Sequence, residues 1–110
     1  EKIPMCKSFV HVHAGVRAED VPEGCPPQWT VVRDWNLPID APNNVVVVSM
    51  PSMLDPSLAP PGRHCIHAYA AATEPYEDWK RFRSDSSSSE YAAFKEQRVA
   101  ELWDAVEKEI

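Results

Sequence analysis

The sequence predicts an α+β fold, with a mostly antiparallel four-stranded sheet packed by a short helix and a long C-terminal amphipathic helix. The 110 residues, 44% apolar and 25% charged, fit one globular domain. In the first two thirds of the chain, short strand-like runs alternate with segments rich in proline, glycine and acids. The last third changes to a helical period, and strands followed by helices are typical of α+β domains.

Four segments have the composition of β-strands, and we predict them at Ser8–Val16, Trp29–Trp35, Val45–Met50 and His64–Ala70. Because the run Val45–Val48 is apolar without alternation, we expect it to be covered on both faces of the sheet. Segment Pro51–Arg63 holds four prolines and should contain no regular helix longer than a turn. Its Pro61–Gly62 pair suits a type II turn.

Two helices are predicted after the strands. Thr73 is a candidate N-cap for a short helix over Glu74–Phe82, with acids at its start and basic residues at its end. The pattern Ser87-x-x-Glu90 is a capping box, and it predicts a long helix that continues to Ile110. We expect this helix to pack on the sheet through Tyr91, Phe94, Leu102 and Val106.

The composition excludes several classes of function. Seventeen acids against eleven Lys and Arg give a net charge of −6, which disfavours a nucleic acid as the main partner. No apolar run approaches the roughly 20 residues of a membrane helix, so no transmembrane segment is predicted. Three glycines do not form a dinucleotide fingerprint or a phosphate loop, which excludes binding of FAD, NAD or ATP by those motifs.

The cysteines and the first residue bear on the state of the chain. Cys6, Cys25 and Cys65 are an odd number without a CxxC pair, which favours thiols in a reducing compartment over a disulfide framework. The sequence begins at Glu1, and we interpret it as a processed or partial polypeptide.

The four histidines are the candidate metal ligands. His11 and His13 share one face of the first strand, whereas His64 and His67 fall on opposite faces of the fourth, so at most one of those two can join them. Because no third or fourth ligand is evident, we predict that His11 and His13 bind no transition metal. Half-buried histidines without a ligand are the favoured interpretation.

No catalytic constellation is complete. Ser49, Ser52 and Cys65 are the nucleophile candidates, and none has a base placed beside it by the sequence. The acidic pairs are typical of solvated loops and helix starts. Four tryptophans either pack in the core or line an apolar cavity, with packing favoured. The residues by themselves therefore assign no reaction and no metal, catalytic or cofactor-binding residue.

A series of motifs along nearly the whole chain resembles one enzyme family. The motifs, in order, are SFVHVHAGV, VVRDWN, NNVVVVSMPSMLDPSLAPPGRHCIHAY, TEPYEDW and YAAFKEQRVAELWDAVE. Together they resemble one continuous stretch of the carotenoid isomerases of the prolycopene isomerase type, which are phytoene-desaturase-like FAD oxidoreductases. The segments Arg17–Gln28 and Arg83–Ser89 match least.

The resemblance implies that residues 1–110 form a single substrate-type domain without the flavin-binding parts. The complete enzyme would use FAD to isomerise a polyene between cis and trans. This chain alone would bind no cofactor and be inactive, and no catalytic or flavin-binding residue can be carried over to it. Two alternatives stay open. One is a detached, non-catalytic binding or scaffold subunit of a plastid photosynthetic pigment–protein complex, and the other is an unrelated small metal- or ligand-binding protein.

The resemblance also implies a chloroplast location, either stromal or peripheral to the thylakoid membrane and its complexes. Two helices are too few to cover both faces of the sheet, so one face should contact something else. The expected contacts are the missing flavin domain, another protein subunit with a basic or neutral rim, or a carotenoid-like apolar ligand. The candidate residues for this face are His11, His13, His67 and Tyr69.

Overall fold

The computed structural model describes residues 3, 8–71, 74–108 and 110. It confirms the α+β prediction: a four-stranded antiparallel sheet is followed by a short and a long helix. The strands are β1 Phe9–Arg17, β2 Gln28–Val32, β3 Val45–Ser49 and β4 Arg63–Ala71, and the helices are α1 Tyr76–Lys80 and α2 Ser89–Glu107. The order across the sheet is β1-β4-β3-β2, so β1 and β2 are the edges.

The register of the strands separates the side chains onto two faces. On β1 and β4, His13 lies opposite His67 and His11 lies opposite Tyr69. On β3 and β4, Val47 lies opposite Tyr69. Directly opposed residues of an antiparallel pair point to the same side, so these side chains share one face, called here the outer face. The face on the other side, which α2 covers, is the inner face.

The core lies between the inner face and α2. The buried residues that form it are Val12, Val46, Val48, Met50, Ile66, Ala68, Ala70, Leu102, Ala105 and Val106. Leu102 and Val48 are both fully buried. The Trp29 ring N–H also donates to the Ala105 carbonyl of α2, at 3.4 Å. Apolar burial of this kind, at roughly 25 cal/mol per Å², is what holds the helix on the sheet.

The valine run of β3 is covered on one face only, so the prediction for Val45–Val48 was wrong in that respect. Val46 and Val48 are buried in the core, whereas Val45 and Val47 are half-buried on the outer face. The pattern of the run could not show this, because β-branched residues are favoured in strands whether or not both faces are covered.

Helix α2 packs on the sheet through its C-terminal half. Leu102 and Val106 are in the core as predicted. Tyr91 and Phe94 instead contact Phe82, each with ring centroids 5.5 Å apart. Trp79 meets Phe94 edge to face at 4.9 Å. The N-terminal half of α2 therefore packs against α1 and the turn after it.

The helix starts differ from the predictions. Helix α1 begins at Tyr76 with Pro75 as its N-cap, and the predicted cap Thr73 lies outside the described residues. Helix α2 is capped by Ser88, whose hydroxyl accepts from the Tyr91 N–H at 3.2 Å. The predicted cap at Ser87 was wrong by one residue, because each of four consecutive serines has a hydroxyl that could cap the helix.

The loop between β2 and β3 begins earlier than predicted, and Trp35 is not in a strand. The Asp34 carboxylate accepts from the Asn36 N–H at 2.8 Å, which turns the chain away from the sheet. The buried Asn44 side chain accepts from the Asp34 N–H and donates to the Pro38 carbonyl. This ordered loop leaves Trp35 85% exposed.

The structure confirms both predictions for the proline-rich connector between β3 and β4, the absence of a regular helix longer than a turn and the type II turn. Its helical elements are two 3-10 turns of three residues each, Pro51–Met53 and Pro56–Leu58. The Arg63 N–H donates to the Pro60 carbonyl at 3.0 Å, and Gly62 has φ of +73°. That positive φ is the conformation of a type II turn, which only glycine adopts without strain.

Neither helix among the described residues has the length and apolar character needed to cross a membrane.

Candidate functional site

The outer face carries a cluster of five rings on two neighbouring strands. The aromatic cluster consists of Phe9, His11 and His13 of β1 and His67 and Tyr69 of β4. The alternation of side chains along a strand puts residues 9, 11 and 13 on one side, and residues 67 and 69 join them by strand pairing. Thus the structure brings together all four residues that the sequence selected for this face.

The rings of the aromatic cluster lie nearly parallel through its centre. His67 stacks on His13 with centroids 4.4 Å apart and on His11 with centroids 5.0 Å apart, at interplanar angles of 4° and 8°. Tyr69 lies 5.0 Å from His67. Phe9 meets Tyr69 edge to face at 5.9 Å and is 53% exposed. Such spacings are in the favourable range for aromatic contacts.

One hydrogen bond joins two of the imidazoles. His11 Nδ1 and His67 Nε2 are 2.7 Å apart, so one ring N–H donates to the bare nitrogen of the other. Burial, and then the charge that His13 and His11 would carry, lower the pKa of His67. The lowered pKa favours the neutral form of His67, which accepts a hydrogen bond or binds a cation.

The rest of the outer face is uncharged across its centre. Val47 and Ser49 of β3 lie opposite Tyr69 and His67, and Thr30 and Gln28 of β2 lie opposite those in turn. The charged side chains on this face of the described strands are Arg17 and Arg63. These two residues lie opposite each other at one end of the β1–β4 ladder. An aromatic surface without Lys, Arg, Asp or Glu at its centre, half-buried on β3 and β4 and exposed on the edge strands, suits an apolar or aromatic contact.

A shallow hollow of about 490 Å³ adjoins the aromatic cluster. Its lining includes His13, His67, Cys65 and Pro51. Cys65 precedes His67 by two residues and faces the same side, opposite Gly15, which has no side chain to fill the space. The hollow is open to solvent and is too shallow to enclose a long ligand by itself.

The fourth histidine lies on the inner face and is structural. His64 Nδ1 is 3.0 Å from the Ser52 hydroxyl, which also accepts the Cys65 N–H at 3.0 Å. Ser52 is 2% exposed, and no acid contacts His64 among the described residues. The pair therefore ties the turn Pro51–Met53 to β4 and has neither the access nor the third group of a nucleophilic site.

The structure places a third candidate metal ligand beside His11 and His13. The sequence supplied no third ligand, whereas the strand pairing places His67 opposite His13. One ring nitrogen from each of the three histidines lies within 4.8 Å of the others. Phe9 is the member of the aromatic cluster that was not selected as a site residue, although its place on the face of His11 and His13 was evident from alternation.

Comparison with known proteins gives one consistent relationship. Over 103 residues, or 94% of this chain, the chain is 34% identical to "Prolycopene isomerase, chloroplastic" of Arabidopsis thaliana and 30% identical to the protein of that name from Daucus carota. It is 32% identical over 104 residues to "Prolycopene isomerase 2, chloroplastic" of an Oncidium hybrid cultivar. This chain is similar to one segment of the prolycopene isomerases.

The chain spans 16% of the length of each of these relatives. No family model matches the chain, and no solved structure matches it. The resemblance stated from the motifs is thus confirmed at the level of a segment, since the similarity extends over 94% of the chain.

Proposed function

We propose that this chain is the substrate-domain segment of a carotenoid isomerase-like flavoprotein that isomerises a polyene between cis and trans. The proposal rests on the continuous similarity of 94% of the chain to prolycopene isomerases. The flavin-binding parts and the catalytic residues would come from outside these 110 residues, which hold no dinucleotide fingerprint. The relatives are called chloroplastic, and we propose the same compartment here, in the stroma or at the thylakoid surface.

The outer face is the part of this segment that we assign to the polyene. Its aromatic cluster forms a row of rings, beside the half-buried Val47 of β3. A conjugated polyene is flat, rigid and uncharged, and it gains from stacking on rings and from leaving water. In the proposed protein, the flavin domain would close over this face and complete the tunnel that the hollow beside His13 does not form alone.

A polyene titration tests this assignment. Prolycopene dispersed in mild detergent is added to the chain, and binding is followed by the shift of its visible absorption bands. We expect saturable binding that weakens by roughly fivefold or more in Tyr69→Ala, because an aromatic contact contributes about 1 kcal/mol. Tyr76→Ala is the matched control, since Tyr76 is an exposed tyrosine of α1 away from the sheet. Equal effects of the two changes, or no binding, would contradict the assignment.

The alternative is a detached, non-catalytic subunit of a plastid pigment–protein complex. It predicts the same fold and the same aromatic cluster, so the two proposals differ in what accompanies the chain. A bound flavin in the native protein supports the enzyme, and a pigment complex without flavin supports the scaffold.

A further inference from the structure

The three histidines of the aromatic cluster meet the requirements of a metal site. We propose that His11, His13 and His67 bind one divalent transition-metal ion of the Zn²⁺ type, each through one ring nitrogen, with the remaining coordination position open to solvent or to a partner. The inference is independent of the proposed function, because it uses only the side chains of these two strands.

The distances between the nitrogens are close to those of a coordinated set. The three ring nitrogens lie within 4.8 Å of one another, and His11 Nδ1 and His67 Nε2 are 2.7 Å apart. Zn–N bonds of ~2.0–2.1 Å in a tetrahedral site put the ligand nitrogens ~3.3 Å apart. Rotations of the side chains about χ1 and χ2 are enough to open the shorter distance and close the longer ones.

The scaffold holds the three ligands without help from loops. His11 and His13 are two residues apart on β1, and His67 is opposite His13 on β4, which is hydrogen-bonded to a strand on each side. The backbone positions of the ligands are thus fixed by the sheet, and the imidazoles are already nearly parallel and grouped. A site built on strands is better preorganised than one built on loops.

The chemistry of the donors selects the class of metal. Three imidazole nitrogens suit Zn²⁺, Cu²⁺, Ni²⁺ and Co²⁺, whereas Ca²⁺ and Mg²⁺ need oxygen ligands, which this group does not contain. The hydrogen bond between His11 and His67 shows that their nitrogens already point at a common position, which the bridging proton occupies. A metal ion would occupy that position once the donor ring carries its proton on its other nitrogen, so that both rings stay neutral and each offers a lone pair.

Zinc titration by calorimetry tests the site directly. The full 110-residue chain is stripped with a chelator and titrated with ZnCl₂ alone. We expect one ion per chain, with affinity lowered by roughly tenfold or more in His67→Ala and in His13→Ala. Co²⁺ in place of Zn²⁺ should give visible d–d absorption bands, which both variants lose. The matched control is Tyr76→Phe, at an exposed tyrosine of α1 away from the three histidines; its zinc affinity should stay within about twofold.

Two results would overturn the proposal. One is that the unaltered chain does not bind zinc. The other is zinc binding of equal affinity in the unaltered chain and in His13→Ala or His67→Ala. His13 is exposed on an edge strand, so His13→Ala is expected to fold even if the change at His67 disturbs the sheet. Circular dichroism of each variant checks this. Polyene binding is a separate measurement, so its failure and the failure of zinc binding are distinguishable.

Discussion

Ser52 shows how a single polar residue connects the proline-rich segment to the sheet. Its hydroxyl is buried, accepts the Cys65 N–H and pairs with His64 Nδ1. Without this hydroxyl, the N–H of half-buried Cys65 and the ring nitrogen of half-buried His64 would both lose a partner. Loss of such partners, rather than loss of bulk, sets the energetic importance of a small buried residue.

We expect Ser52→Ala to lower the free energy of unfolding by about 1 kcal/mol, because it removes the hydrogen-bond partner of two half-buried groups. Urea denaturation followed by circular dichroism measures the change. Ser86→Ala is the control, since Ser86 is exposed and a surface change of this kind stays within about 0.5 kcal/mol. If the two variants were equally stable, the assigned role of Ser52 would be wrong.

Glu74 makes the main polar contact between the α1 region and α2. It forms a bidentate pair with Arg98, with contacts of 3.2 and 2.8 Å, and it accepts the Trp79 ring N–H at 3.1 Å. Burial opposes the charge of Glu74, but its own backbone N–H, Arg98 and Trp79 outweigh that effect and lower the pKa of the carboxyl group.

A lowered pKa makes the contribution of Glu74 depend on pH with a definite sign. The stabilisation is complete above the ordinary carboxyl value of 4.5 and is lost as pH falls through the lowered pKa of the folded state. We therefore expect Glu74→Gln to destabilise the chain at pH 7 and much less at pH 3. Urea denaturation at both pH values measures this, with Glu96→Gln, an exposed position on α2, as the control. A loss of the same size at both pH values would contradict the account.

At the scale of the elements, the sequence located all four strands and both helices, and it failed mainly at their ends and in what covers them. The strand β2 ends early because Asp34 and Asn44 bond to the backbone of the loop, a tertiary arrangement that propensity does not encode. Phe94 was predicted to pack on the sheet because its spacing places it on the apolar face of α2. Its partner is in fact Phe82, since an amphipathic face does not state which surface it meets.

The start of α2 gives a prediction for one element. Ser88→Ala should cost about 1 kcal/mol, because its hydroxyl satisfies the free N–H of Tyr91. Ser87→Ala is a closely matched control: its hydroxyl donates to the exposed Asp85 carboxylate and caps no helix N–H. Thermal unfolding should therefore show a lower midpoint for the Ser88 variant. The reverse order would restore the capping box that the sequence predicted.

At the scale of the whole molecule, the sequence predicted an uncovered sheet face and four residues on it, and the structure places those residues in one aromatic cluster. Alternation along β1 was sufficient to group His11 with His13. Alternation could not show that His67 of β4 lies beside them, because strand pairing and register depend on the whole fold. For that reason the third imidazole of the proposed metal site became evident only in the structure.

The proposal that this chain is part of a larger flavoprotein of the carotenoid isomerase type can be tested on the native protein. The most direct test is the intact mass and visible spectrum of the native polypeptide that contains the sequence. We expect a mass several times that of 110 residues, together with the absorption bands of a bound flavin. A native mass near that of 110 residues, without flavin, would contradict it and favour the detached subunit.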